Sequence, residues 1–359
     1  MVSLNISYFW GELDLDRLSV NRKGEYYCGQ SIAFDFICKY IEERGCSDIR
    51  SAKILVVSDR NVGGYFYSRF EQQFLDKGVR PQLVIVDAGD MYKNLEAVSE
   101  VVKAFVDFDF GSGDHVIALG GGGVLDVTSF ACSVYNADLK LILVPTTLNA
   151  MAEGSVARSA MINSGSHKNV MSEENDICAV FADPDFLRSV PDKVKMNGYA
   201  ACVRYSVLED PDLLSEITDY GDLRVFLEKV YNTRAAIERK NPILLTLGNE
   251  IADAIQGYFR FMNYSEGEAL ALGIYSAVPE KIRANLREMY DRTGLPYELK
   301  GVSGKMILKV MGDSLRRRYR DGMSMVDLAP DKKSWTVKQV SVAGAMEVLE
   351  KRIGVICAD

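Results

Sequence analysis

The stretch His115–Ala150, HVIALGGGGVLDVTSFACSVYNADLKLILVPTTLNA, constrains the fold more than any other part of this chain. An apolar run, Val116 to Leu119, is too short for a helix and meets four consecutive glycines, Gly120 to Gly123. The chain then passes through Asp126 into a segment with helical spacing, and a second apolar run, Leu139 to Val144, ends in Pro145-Thr146-Thr147. The pattern is strand, glycine turn, helix, strand. A glycine corner of this kind suits a phosphate, because a residue without Cβ lets backbone N–H groups approach an anion closely at a helix N-terminus. The tetrad is not the spaced G-x-G-x-x-G fingerprint, and glycine clusters also form plain tight turns, so the turn alone leaves both readings open.

The residues before Asp183 alternate strands and helices throughout, as an α/β domain does. A short strand and helix are expected in GEYYCGQSIAFDFICKYIEERG, then a strand over Ala52 to Val57 that stops at Asp59-Arg60-Asn61. A helix through Phe66 to Leu75, a strand over Gln82 to Val86 and a helix over Leu95 to Val106 follow. Three successive strands thus end in loops carrying Asp59, Asp90 with Lys93, and the glycines. In an open parallel sheet such loops converge on a ligand outside the carboxyl ends of the strands. From Asp183-Pro184 onward amphipathic helical patterns take over, among them Glu266 to Leu286 and Gly304 to Arg318, with one late strand expected near Trp335 to Val342. The expected fold is α/β: an N-terminal Rossmann-like parallel-sheet domain over residues 1–184 and a mainly α-helical C-terminal domain over residues 185–359.

Composition narrows the function. The 359 residues are 48% hydrophobic, enough for two cores, and no apolar run reaches membrane-spanning length. The N-terminal run MVSLNISYFWGELDLDR lacks the basic-then-apolar order of a signal peptide, so a cytoplasmic protein with no membrane partner is expected. Seven cysteines without a C-x-x-C pair fit packed thiols in a reducing compartment. A net charge of −8 argues against nucleic acid as a partner. The one basic run, Arg316, Arg317, Arg318 and Arg320, reads as a solvated helix face or an anion site. With two histidines, His115 and His167, a His-rich zinc or iron site is excluded.

Taken in order, the glycine turn, Asp126, PTTL, Lys168-Asn169, DPDFLRSVP and Gly198 resemble the 3-dehydroquinate synthase family, a family of sugar-phosphate cyclases. LGNEIADAI, EGEALALGI, TGLP and Asp331-Lys332-Lys333 extend the resemblance over most of the chain. It implies that residues 1–184 bind NAD, that the protein is a homodimer, and that its substrate is a small polyol or sugar phosphate. The implied chemistry is transient: NAD oxidises an alcohol, phosphate is eliminated, the hydride returns and an aldol step closes a ring. On the NAD side the family's contacts fall on Asp59, Asn61, Asp90, Lys93, Gly120, Gly121, Gly122, Asp126, Thr146, Thr147 and Lys168, and on the segment Phe186, Leu187, Arg188 and Ser189. Asp59 has a second reading as a helix cap, and Thr146 as a turn residue.

On the substrate side the resemblance is altered. The family's zinc glutamate falls on Ala201 and its two zinc histidines on Asn249 and Glu266, so zinc is not expected. Three cationic substrate contacts fall on Ser159, Ala137 and Pro242. The groups retained for catalysis are Glu153, Lys168, Asn169, Arg204 and Lys332. Asn249, Asp253 and Glu266 leave open an oxygen-only site for another metal. Three functions follow: a divergent zinc-independent cyclase or lyase, a non-catalytic NAD-binding homologue or partner subunit of a true cyclase, and an alcohol or glycerol dehydrogenase.

Overall fold

The computed structural model describes residues 24–44, 48–217, 222–328 and 334–357. The chain divides into two compact units. Of the described residues, the first comprises those up to Ser164, Asn169–Pro191 and Leu223–Glu228; the second comprises Gly165–Lys168, those between Asp192 and Asp222, and those from Lys229 onward. The first unit therefore runs on past Asp183-Pro184 to Pro191.

In the first unit β1 (Glu25–Cys28), α1 (Ile32–Asp35) and α2 (Ile37–Arg44) precede β2 (Ile54–Asp59) and α3 (Arg60–Leu75). Then come β3 (Gln82–Val86), α4 (Leu95–Asp107), β4 (His115–Gly120), α5 (Gly122–Val134), β5 (Lys140–Pro145) and α6 (Leu148–Ala152). A hairpin of β6 (Ser159–Ser164) and β7 (His167–Glu174), of which Gly165–Lys168 are counted with the second unit, leads to β8 (Ile177–Ala182) and α7 (Asp185–Ser189). The main sheet has six strands in the order β1-β8-β5-β4-β2-β3, and every pairing is parallel. β2 and β4 lie inside it and are buried along their whole length, which is why they read as unbroken apolar runs and not as alternating ones. β3 is at the edge, and Leu83 and Ile85 are exposed there. Amphipathic α4 buries Val98, Val101 and Phe105 against α5, and Ala160 and Ile162 of the hairpin join that core. The hairpin and β8 were not anticipated from the sequence, whereas the strands that carry the site loops were.

The second unit contains α8 (Asp192–Leu208), α9 (Leu213–Glu216), most of α10 (Leu223–Lys240), α11 (Asn249–Tyr258), α12 (Glu266–Ala277), α13 (Glu280–Thr293), α14 (Gly304–Arg318) and α15 (Val342–Ile356). β9 (Met323–Leu328) and β10 (Trp335–Val340) form an antiparallel pair, so the late strand expected near Trp335 has a partner. The helix read as continuous over Glu266 to Leu286 is two helices, because Pro279 cannot donate to a continuing helix and instead occupies the N-cap of α13. Among the described residues no helix is long and apolar enough to cross a membrane.

Candidate functional site

The parallel register brings the ends of β5, β4, β2 and β3 to one edge of the first unit. Gly120 lies opposite Pro145, Leu119 opposite Ser58, and Asp59 opposite Val86. Thr146 N–H donates to the Gly120 carbonyl (3.0 Å), which ties the loop after β5 to the glycine turn.

The four glycines have different reasons to be glycine. A Cβ on Gly120 would meet the Val124 side chain at 2.7 Å, so that position is set by packing. Gly121 is the N-cap of α5 and brings no side-chain cap, which leaves the first N–H groups of this helix to an outside acceptor. A Cβ on Gly122 would meet nothing within 4 Å, and one on Gly123 would reach the Gly89 backbone at 3.7 Å. The Thr146 hydroxyl is buried without a hydrogen-bond partner. An open helix N-terminus, an open glycine and an orphaned hydroxyl fit the pyrophosphate of a dinucleotide.

A polar network stands beside the turn. The Lys93 ammonium, 5% exposed, donates to Asp126 Oδ2 (2.9 Å) and to Asn169 Oδ1 (2.8 Å). Asp126 Oδ1 accepts from Met161 N–H (3.2 Å). Asn169 sits at φ +52°, a left-handed conformation that asparagine tolerates, and its N–H donates to Asn163 Oδ1 (2.8 Å). Asn163 Nδ2 in turn donates to the Asp90 carbonyl (2.8 Å). Lys93, Asp126, Asn169 and the Asp90 loop are thus brought together. Asn163, which bonds Asn169, Asp90 and the Lys93 carbonyl, was missed because a strand asparagine carries no motif.

The other residues expected at the NAD site have partners within the chain. Asp59 Oδ1 accepts from Asn61 N–H (2.8 Å) and Val62 N–H (3.0 Å), so it caps α3. The Thr147 hydroxyl caps α6 through Ala150 N–H. Phe186 is fully buried against Phe34 and Phe66, with ring centroids 5.2 and 4.9 Å away, and Leu187 is also buried. Arg188 pairs with Asp185 (3.4 Å), and the Ser189 hydroxyl donates to the Phe186 carbonyl (2.9 Å). Glu153 caps the end of α6. Lys332 lies outside the described residues.

In the second unit one face of α11 organises the charged groups. Asn249, Asp253 and Gln256, spaced at i, i+4 and i+7, share that face. Asn249 Oδ1 accepts from Arg204 Nη1 (2.8 Å), Asp253 pairs with Arg318 (3.7 Å), and Gln256 Oε1 accepts from Lys168 Nζ (2.5 Å). Lys168 also pairs with Glu266 Oε1 (2.7 Å), and Arg318 donates to the Lys168 carbonyl (2.7 Å). Lys168 and Arg204 are both buried. Arg317 bonds the His167 ring (3.0 Å), so the basic run of α14 grips His167 and Lys168 at the start of β7. Glu268 is engaged in the capping box with Ser265 at the start of α12. Among the described residues no three His, Cys, Asp or Glu side chains are grouped to hold a metal ion.

This fold is that of the dehydroquinate synthase-like enzymes. It matches the solved 2-epi-5-epi-valiolone synthase of Streptomyces hygroscopicus subsp. jinggangensis, which has NAD+ and Zn2+ bound, with a TM-score of 0.77 at 17% identity over 92% of this chain and 97% of that one. It also matches 2-deoxy-scyllo-inosose synthase, solved with carbaglucose-6-phosphate, NAD+ and Co2+, with a TM-score of 0.73 at 18% identity over 92% and 97% of the two chains. Residues 83–197 match the family model described as 3-dehydroquinate synthase N-terminal. The 3-dehydroquinate synthase of Clostridium kluyveri is 27% identical over 314 residues, covering 83% of this chain and 84% of the relative. The resemblance read from the sequence therefore holds: the chain is related to the 3-dehydroquinate synthases and has the fold of the sugar-phosphate cyclases.

Proposed function

We propose that this protein binds NAD at the glycine turn of its first unit and acts as a zinc-independent, sugar-phosphate cyclase-like enzyme on a polyhydroxylated, phosphorylated substrate. The observation that supports this most is the N-terminus of α5: it opens at the carboxyl edge of a parallel sheet beside the orphaned Thr146 hydroxyl and the open Gly122. Bound there, NAD supplies a hydride acceptor for an alcohol carbon. The α5 N–H groups hold the pyrophosphate, and the Lys93–Asp126 pair fixes the loop after β3 against that helix. The ammonium of Lys168 and the guanidinium of Arg204 provide positive charge for a phosphate or a developing alkoxide, and Lys168 holds a proton to give.

The metal of the two solved neighbours does not fit the corresponding residues. Ala201 offers no donor, Asn249 Oδ1 faces the Arg204 guanidinium, and Glu266 faces the Lys168 ammonium. A divalent cation bound to those oxygens would stand against two fixed positive charges. The test is an assay with NAD and a panel of sugar phosphates, following phosphate and NADH separately. Phosphate released without net NADH is the expected result. Calorimetry showing no NAD binding would overturn the reading, and net NADH would redirect it to an alcohol dehydrogenase.

A further inference from the structure

We infer that the Lys168 ammonium, locked between Glu266 and Gln256, takes the place of a divalent cation in this chain and keeps one out. The inference deepens the proposed function and rests on it for the substrate, but its metal-binding consequence stands by itself.

Three observations converge on Lys168. The first is burial: its side chain is 3% exposed, and ordering and desolvating a lysine is costly unless the charge is paired and hydrogen-bonded. The second is the completeness of its restraint. Glu266 takes the ammonium at 2.7 Å, Gln256 takes it at 2.5 Å, and Arg318 holds the lysine's own carbonyl at 2.7 Å, so both ends of the residue are fixed. The third is how Glu266 is presented. It is the first residue of α12, whose start is set by the Ser265–Glu268 capping box and by Gly267, which lies against the Asn197 backbone and donates its N–H to Asn197 Oδ1 (3.2 Å). The backbone that carries Glu266 is thereby fixed, and from that position its carboxylate reaches the Lys168 ammonium.

The α11 face repeats the arrangement. Its three polar positions each meet a cation of the chain: Arg204, Arg318 and Lys168. A metal site needs converging donors with room for a positive ion. Here the donors converge on positive groups already present. A monovalent ammonium also suits a phosphate or alkoxide oxygen, which it attracts by charge and hydrogen bonding together. The sequence change at Ala201, Asn249 and Glu266 and the burial of Lys168 are then one adaptation.

The full-length protein, treated with chelator and then titrated with Zn2+ alone, tests this by calorimetry, with elemental analysis of the untreated protein beside it. The wild type is expected to hold no stoichiometric zinc or cobalt. In Lys168→Ala, which takes the ammonium away from Glu266, the protein is expected to gain Zn2+ affinity at least tenfold, and n-butylammonium is expected to raise the melting temperature of that variant and not of the wild type. Lys168→Met, which keeps the stem volume, serves if the alanine variant does not fold. Stoichiometric metal in the wild type overturns the inference. So does a folded variant that gains neither zinc binding nor rescue by the alkylammonium. NAD titration of the same preparations separates this failure from failure of the proposed function, which loses NAD binding.

Discussion

Two neighbouring glycines separate packing from binding at the scale of one residue. Gly120 is held by Val124, whose β-branched side chain cannot swing away, so Gly120→Ala is expected to cost about 1–3 kcal/mol of stability. Gly122 has open space where a Cβ would go, so Gly122→Ala is expected to fold within ~0.5 kcal/mol of the wild type. It should nevertheless weaken NAD at least tenfold, because in the proposed site its methyl group would stand where the pyrophosphate approaches the α5 N–H groups. Urea denaturation and NAD calorimetry on the pair check both halves, and wild-type NAD affinity in Gly122→Ala would sink the phosphate reading of the turn. The sequence alone could not tell the two apart, since four identical letters carry no record of what faces each of them. Asp59 carries a similar lesson: its capping bonds to Asn61 and Val62 are local, and the sequence already offered capping as its second reading.

At the scale of elements, the second unit is built on backbone contact between helices. A Cβ on Gly267 would lie 2.3 Å from Asn197 Cα on α8, and one on Gly273 would lie 2.2 Å from the Gly248 carbonyl before α11. Neither neighbour is a flexible side chain that can yield. Gly267→Ala is therefore expected to lose at least ~2 kcal/mol, while Gly354→Ala in α15, with nothing within 4 Å, should be neutral or gain up to ~1 kcal/mol. Equal urea midpoints for the two variants would contradict this packing. Helix spacing was legible here to within a residue at both ends of α14, because its apolar positions recur at helical intervals. The break at Pro279 was overrun because Ala277 and Val278 keep the apolar pattern going up to it. The basic run at the end of α14 was legible as charge, but not as the clasp on His167 and Lys168, which depends on a contact 150 residues away in sequence.

For the whole molecule, Asp183 links the fold to pH. It is fully buried at the end of β8 and accepts from the N–H groups of Ser31, Ala33 and Asp185. Burial outweighs those bonds and pushes its carboxyl up from 3.8 to about 6. The native state thus holds this proton more tightly than the unfolded chain does. The resulting stabilisation is full below the ordinary carboxyl value, declines as pH rises toward about 6, and is absent above it. At about 1.4 kcal/mol per unit the contribution reaches roughly 3 kcal/mol. Subtracting the melting profile of Asp183→Asn from that of the wild type should leave a slope confined to this window, and a flat difference would refute it.

The sequence by itself determined the order of strand, glycine turn and helix, the alternation of the sheet unit, the helical character of the second unit and the family likeness. The first three follow from local periodicity and from residues with few conformational alternatives, and the likeness from motifs that match in order along the chain. Tertiary structure decided which neighbour each charge meets: Lys93 with Asp126 and Asn169, and Lys168 with Gln256 and Glu266. The physical reason is range. A turn or a helix is fixed by residues within a few positions of one another, whereas the cost of a buried charge is met by groups brought from distant parts of the chain, a pairing no local pattern can encode.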